Sequence, residues 1–251
     1  MSPDLLPWPQ GTDRIVLAEV DSTMAEAARR APTLARPTWI MAHRQTAARG
    51  RRGRRWENPA GNFSATYVFR PGGNAAAAAL RSFMAANALY EALALQIDRD
   101  ALSLKWPNDV LLNGGKVAGI LLESTGRPDR GIDWLAIGIG VNLVQAPRPE
   151  ADMAFEPVAL ETEGGTPIAK DEFLSMLASN FETEERIFAE FGFGPIREKW
   201  LERAAKLGET ITARTARESF EGVFDTIDEA GQLVLTTARG RMTIPAADIY
   251  F

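Results

Sequence analysis

Apolar residues in the first half of the chain come mostly in runs of strand length, separated by glycine, proline and charged segments. Arg14-Ile-Val-Leu-Ala-Glu-Val20 reads as a short strand, and Asp21 or Ser22 then caps a helix running to about Arg30, with Glu26 near its first turn. Thr38-Trp-Ile-Met-Ala-His43 is a second apolar run. Asn62-Phe-Ser-Ala-Thr-Tyr-Val-Phe69 is a third, β-branched and aromatic, closed by Pro71-Gly-Gly73. Ala75 to Gln96 is rich in Ala, Leu and Met and predicts one long buried helix. Leu102–Lys105 and Val110–Leu112 predict strands around a Trp-Pro-Asn-Asp turn. Asn113-Gly-Gly115 is a hairpin signal that returns the chain as a paired strand over Lys116–Glu123. Trp134–Asn142 is another strand, with glycines at alternate positions that leave room for something to lie against the backbone.

Beyond it the texture changes twice. Residues 147–167, rich in Pro, Glu and Gly, predict a surface loop, followed by helices over Asp171–Phe191 and about Ile196–Ala204. From about Gly208 short strands recur, with turns expected at Glu221-Gly222, Glu229-Ala-Gly231 and Arg239-Gly240. Four or five strands in so short a segment fit a small barrel appended to the main domain. The expected division is therefore residues 1–205 and 206–251.

Composition narrows the class. With 45% hydrophobic and 24% charged residues, the 251-residue chain has the make-up of an ordinary globular protein with a real core. A net charge of −5 argues against general affinity for nucleic acid. The absence of cysteine excludes disulfides, a Cys nucleophile and thiolate metal sites; a lone histidine, His43, excludes a His-cluster metal site and a His-based triad. No metal site is expected. No apolar run approaches ~20 residues, and Met1-Ser-Pro-Asp-Leu-Leu-Pro7 lacks the basic start and apolar core of a leader peptide. A cytoplasmic location follows as the expectation.

Against that acidic background, residues 44–55 hold six arginines, two glycines and no acid. Such a cluster repels itself unless an anion visits it. Glycines at 50 and 53 permit φ > 0 and close backbone approach, while Arg49, Arg51, Arg52 and Arg54 offer planar bidentate donors. Trp56 is placed to stack on a flat ring. The loop by itself fits a solvated basic segment, or one that binds RNA, equally well. Lys105-Trp-Pro-Asn-Asp109 packs a cation, an amide and a carboxylate around a proline-fixed turn, although a plain strand-to-turn junction has the same composition. Lys116 opens a very apolar strand, which puts a cation at the edge of a dry pocket or a snorkelling lysine at a strand edge. Asp21-Ser-Thr23 describes an ordinary helix cap, or hydroxyls that meet a polar ligand head.

Taken in order, Asp21-Ser-Thr23, Gln45 to Trp56, Pro59-Ala-Gly-Asn62, Lys105-Trp-Pro-Asn-Asp109, Lys116-Val-Ala-Gly-Ile-Leu121 and Gly138-Ile-Gly-Val-Asn142 resemble the biotin protein ligase family across roughly residues 15–145. The resemblance implies an α/β (α+β) fold: a mixed sheet flanked by helices, related to class II aminoacyl-tRNA synthetases and followed by an SH3-like β-barrel. It implies synthesis of biotinyl-5′-AMP from biotin and Mg²⁺-ATP, then transfer of biotin to one lysine of a biotin carboxyl carrier protein of a carboxylase. No tightly bound cofactor is implied.

Residue by residue, the resemblance puts Ser22, Thr23, Gln45, Arg49 and Gly50 around the ureido head of biotin, with Gly119, Leu121, Gly138 and Gly140 beside its rings. Arg51 and Lys116 hold the carboxyl–phosphate junction and count toward both ligands. Arg54, Trp56, Lys105, Asn108 and Asn142 serve ATP. Lys116, Arg51 and Asp109 are the catalytic candidates, Asp109 by positioning the acceptor lysine. Lipoate or octanoate transferases share the broad fold, but the arginine–glycine run and the Lys-Trp-Pro-Asn-Asp element favour biotin. Ala48 departs from the family pattern, which has glycine there. Because the Asp-Ser-Thr element begins at residue 21, a short form without an N-terminal DNA-binding domain is expected, with no specific DNA binding. Oligomeric state stays open, a homodimer included.

Overall fold

A computed structural model describes residues 7–127, 131–149, 155–215 and 217–251, without the side chains of Arg52 and Arg127. The stretch read against a leader peptide, and the middle of the loop at 147–167, fall partly outside those residues. In chain order the main unit contains β1 (Asp13–Val20), α1 (Thr23–Arg30), β2 (Thr38–Gln45), β3 (Phe63–Phe69), α2 (Ala75–Ala79) and α3 (Arg81–Leu93). It continues with β4 (Leu102–Lys105), β5 (Asp109–Leu112), β6 (Gly115–Arg127), β7 (Gly131–Val141), α4 (Lys170–Phe191) and α5 (Phe193–Leu201).

The strands make one mixed sheet in the order β1-β2-β3-β7-β6-β5-β4, parallel only between β1 and β2. That pair is joined through α1, which starts where Ser22, in extended conformation, accepts a hydrogen bond from the Met24 amide at 3.2 Å. The strand period of two then sorts the side chains. Ala65, Ile139 and Ile120, which face one another across β3, β7 and β6, point into the larger core with α3 and α4. The opposite face packs α1 through Met24, Ala27, Ile40, Val68 and Ala136, and leaves the adjacent area open.

Three sequence expectations change. The long helix over 75–96 is two helices. Asn74 caps the first, and at Leu80 the chain tightens into an i→i+3 bond from Phe83 while Arg81 reaches Glu185 of α4. The strands around residues 116–123 and 134–142 are longer, running from Gly115 to Arg127 and from Gly131 to Val141. The turn expected at Glu221-Gly222 lies inside a strand instead: a Cβ at Gly222 would lie 2.9 Å from the Thr236 carbonyl oxygen, so this glycine marks a close approach rather than a reversal.

The C-terminal strands β8 (Thr210–Arg214), β9 (Ser219–Ile227), β10 (Leu233–Thr237), β11 (Gly240–Ile244) and β12 (Asp248–Tyr250) form an antiparallel sheet, order β11-β10-β9-β8-β12. It is not an isolated appendage. Phe224 of β9 joins the main core beside Trp200, Arg197 donates to the Ile227 carbonyl at 2.5 Å, and the Trp106 indole donates to the Gly231 carbonyl at 3.0 Å.

Candidate active site

The open part of the sheet has an ordered floor. Register places Ser64, Gly140, Gly119, Asp109 and Lys105 in one row across β3, β7, β6, β5 and β4. Thr66, Gly138 and Leu121 form the next row. In the first row, small residues in the middle and polar ones at both ends make a groove. A cavity of about 480 Å³ stands on this floor, walled by the loop at 48–57, the start of α1, the 155–157 segment and β12.

At one end, Gln45 Oε1 accepts from the Thr23 amide at 2.7 Å and from its hydroxyl at 3.2 Å, and Thr66 donates to the Thr23 hydroxyl at 2.9 Å. All three residues line this corner of the cavity. Ser22 lines the same corner; its hydroxyl oxygen accepts from the Met24 amide as the helix cap, which leaves its own proton to donate.

At the other end one carboxylate meets two lysines. Asp109 lies 2.6 Å from Lys116 Nζ and 3.4 Å from Lys105 Nζ. Burial by itself would push the Asp109 carboxyl up; the two ammonium groups outweigh that and hold it below the usual carboxylate range. Lys105 is shifted down, by burial first, with Asp109 opposing and Lys116 adding to the shift. Its ammonium also sits 4.5 Å from the Phe155 ring centroid. Asn108 accepts from Arg51 at 3.2 Å and donates to the Ile120 carbonyl at 2.5 Å, which ties the arginine loop to the Trp-Pro-Asn-Asp turn.

The loop itself is more organised than charge repulsion suggests. Arg44 pairs with Glu19 of β1 at 2.5 Å, Arg49 with Glu123 of β6 at 2.9 Å and Arg54 with Asp248 of β12 at 3.3 Å. Acids distant in sequence therefore offset much of the cluster. Of the two glycines, Gly53 takes φ 73°, whereas Gly50 has φ −105° and needs no left-handed freedom. Ala48 is absent from the positive-φ residues, so its methyl group costs no strain. The Arg52 side chain lies outside the described set.

Ser22, Thr23, Gln45, Arg49, Gly50, Arg51, Arg54, Trp56, Lys105, Asn108, Asp109, Lys116, Gly119, Leu121, Gly138, Gly140 and Asn142 all line this one cavity. Asn142 does so with its amide engaged by the Val158 carbonyl at 2.9 Å, where it pins the loop that braces Lys116. Sequence reasoning missed Ser64, Thr66, Asp248 and Tyr250, which line the cavity too. For Ser64 and Thr66 a signal existed, since they are the polar alternates of an otherwise apolar strand. For Asp248 and Tyr250 none did.

Fold and site together define an α/β domain with a cationic, glycine-floored pocket for an anionic ligand, closed on one side by a small antiparallel sheet. Residues 16–142 match the Biotin/lipoate A/B protein ligase family, and residues 206–251 match the Biotin protein ligase C terminal domain. The chain is 51% identical to a biotin–[acetyl-CoA-carboxylase] ligase of Paracoccus denitrificans, over 94% of this chain and 99% of that one. It is 34% identical to the bifunctional ligase/repressor BirA of Bacillus subtilis, over 84% of this chain and 65% of the relative. Its structure superposes with a TM-score of 0.78 on a biotin protein ligase from Aquifex aeolicus in complex with biotin and ATP, at 27% identity, covering 94% of this chain and 97% of that one. The chain belongs to the Biotin/lipoate A/B protein ligase family.

Proposed function

We infer that the chain is an ATP-dependent biotin protein ligase. It joins the biotin carboxylate to the α-phosphate of Mg²⁺-ATP with loss of diphosphate, then passes the acyl group to a carrier-protein lysine with loss of AMP. The observation that carries this reading is that one cavity unites five of the six motifs of the family pattern, all but Pro59–Asn62, in a chain with half its residues identical to those of a named biotin ligase.

Thr23, Gln45, Thr66 and the backbone at Arg49 and Gly50 take the ureido head, with Leu121 beside the rings. Lys116 and Arg51 stand where the carboxylate meets the α-phosphate. Bringing two anions together is costly, and fixed cations in a partly dry pocket lower that cost. Lys116 can serve while paired to Asp109, because an ammonium has three protons to donate. Asp109, held ionised by its two lysines, orients the incoming amine. Arg54, Lys105 and Asn108 bind the nucleotide phosphates, and Trp56 stacks on the adenine; Mg²⁺ arrives on those phosphates as part of the substrate.

Residues 1–205 form the catalytic domain, and the match over 206–251 supports placing the boundary there. The partner is a biotin carboxyl carrier protein. The enzyme works in the cytoplasm, where ATP is, and with a net charge of −5 it does not bind duplex DNA specifically. Among the described residues no helix is long and apolar enough to cross a membrane. The test is to incubate the chain with ATP, labelled biotin and a carrier domain, with lipoate in a parallel reaction. Label on one carrier lysine from biotin alone is expected; transfer of lipoate instead would overturn the assignment.

A further inference from the structure

β7 carries two glycines in its interior, at 138 and 140. Interior strand glycines weaken a sheet, through lost backbone entropy and the missing side chain. Neither residue has positive φ, so any L-residue could adopt the backbone here. What glycine supplies at both positions is space, and the structure shows which group uses it. A Cβ at Gly138 would lie 2.8 Å from Met24 Cε of α1, so that glycine lets the helix pack down on the sheet. A Cβ at Gly140 would lie 2.6 Å from both Cε2 and Nε1 of Trp56 and 2.8 Å from its Cζ2. The far edge of the same indole reaches Gly119, where a Cβ would meet Trp56 Cζ3 at 3.4 Å and Lys116 Nζ at 3.3 Å. Trp56 therefore spans the two central glycines of the floor, with the Lys116 ammonium 5.6 Å from its ring centroid.

We propose that Gly140 is a positioning residue for the nucleotide rather than a wall of the biotin pocket: its missing side chain seats Trp56 on the sheet. An indole side chain on a twelve-residue segment full of charged neighbours has little apolar surface of its own to hold it. Resting against the Gly140 and Gly119 backbone fixes it beside Lys116, so that the base it stacks with and the phosphate that Lys116 meets are set by one contact. A methyl group at 140 cannot share that space, because the atoms it would meet belong to a rigid bicyclic ring. The ring has to lift or swing as a whole, and the stacking partner moves with it. This inference rests on the ligase reading.

The experiment compares Gly140→Ala, Trp56→Ala and the double variant, with Gly138→Ala as the packing control. In Gly140→Ala the KM for ATP is expected to rise roughly tenfold or more, the scale of losing one base–aromatic stack, with biotin affinity unchanged. In the Trp56→Ala background Gly140→Ala should add nothing further, as two changes acting through one contact do. The Trp56 indole N–H resonance, assigned by its loss in Trp56→Phe, should shift in Gly140→Ala whatever the substrate. A fall in biotin affinity that is equal with and without the indole would overturn the proposal, as would an unmoved resonance. If the resonance moves but the wild-type chain makes no adenylate from ATP and biotin, the ligase reading fails and the seating of Trp56 stands alone.

Discussion

Two cations and one carboxylate concentrate most of the chemistry at the level of single residues. Lys116 stands at the proposed junction, 2.6 Å from Asp109 and at the rim of the glycine floor. Lys116→Ala should leave the fold intact and slow adenylate formation by roughly 10²–10³, as losing one preorganised electrostatic donor does. Pyrophosphate release at saturating ATP and biotin measures it, and a folded variant at wild-type rate would remove Lys116 from the mechanism. Asp109 also contributes to stability. Its folded pKa is depressed, so its contribution is fully present above the ordinary carboxylate pKa and is lost as pH falls through the depressed folded value. Asp109→Asn leaves Lys105 buried without its counter-ion and should cost on the order of 3 kcal/mol at neutral pH. Denaturant midpoints of wild type and variant should converge in strong acid, where the wild-type carboxyl is protonated too; a constant gap at all pH values would mean that the charge pair is not the cause.

The arginine loop and the strand β7 show how elements differ from their residues. Six like charges in residues 44–55 suggested a loop held apart by repulsion until a ligand arrived. The fold instead brings Glu19, Glu123 and Asp248 to it, and closes it with a hydrogen bond from the Gly50 amide to the Arg54 carbonyl at 2.7 Å. These pairs are largely exposed and each is worth at most ~1 kcal/mol, so biotinyl-AMP should still tighten the loop by offering it a stronger anion. Hydrogen exchange across residues 47–55 should slow when the intermediate binds; equal protection in both states would mean that the intermediate does not tighten the loop. Ala48→Gly tests the same element from the backbone side. With φ outside the left-handed region, glycine there only adds freedom to the open state and should loosen the loop by up to ~1 kcal/mol, seen as faster exchange and faster leakage of the intermediate.

For the molecule as a whole, the question is whether the two sheets behave as one. The large core runs without a break from the main sheet through Trp200 to Phe224 and Ile227, and β12 supplies two residues to the cavity wall. Calorimetry should therefore record one unfolding transition. Phe224→Ala, which removes a fully buried ring from that junction, should cost ~3–5 kcal/mol and lower the temperature of the whole transition. Two separate peaks in the wild type would show that the C-terminal sheet folds on its own account.

Local sequence patterns were enough to place most of the strands, the helix capped at Ser22, and many of the residues that line the cavity. They could do so because those features depend on short-range periodicity, on capping chemistry and on ordered motifs. The family resemblance rested on the same local patterns. What they left undecided depends on contacts made across long stretches of chain. The break at Leu80 coincides with an ion pair from Arg81 to a helix a hundred residues later, and Gly222 is a glycine because β10 passes close to it. Asp248 and Tyr250 carry no local signal that they face a pocket built largely by the first half of the chain. What lies against the alternating glycines of β7 is set by the folded packing alone. A missing side chain announces empty space in any sequence, but which group fills that space is set by the packing of distant elements, here Met24 over one glycine and Trp56 over the other.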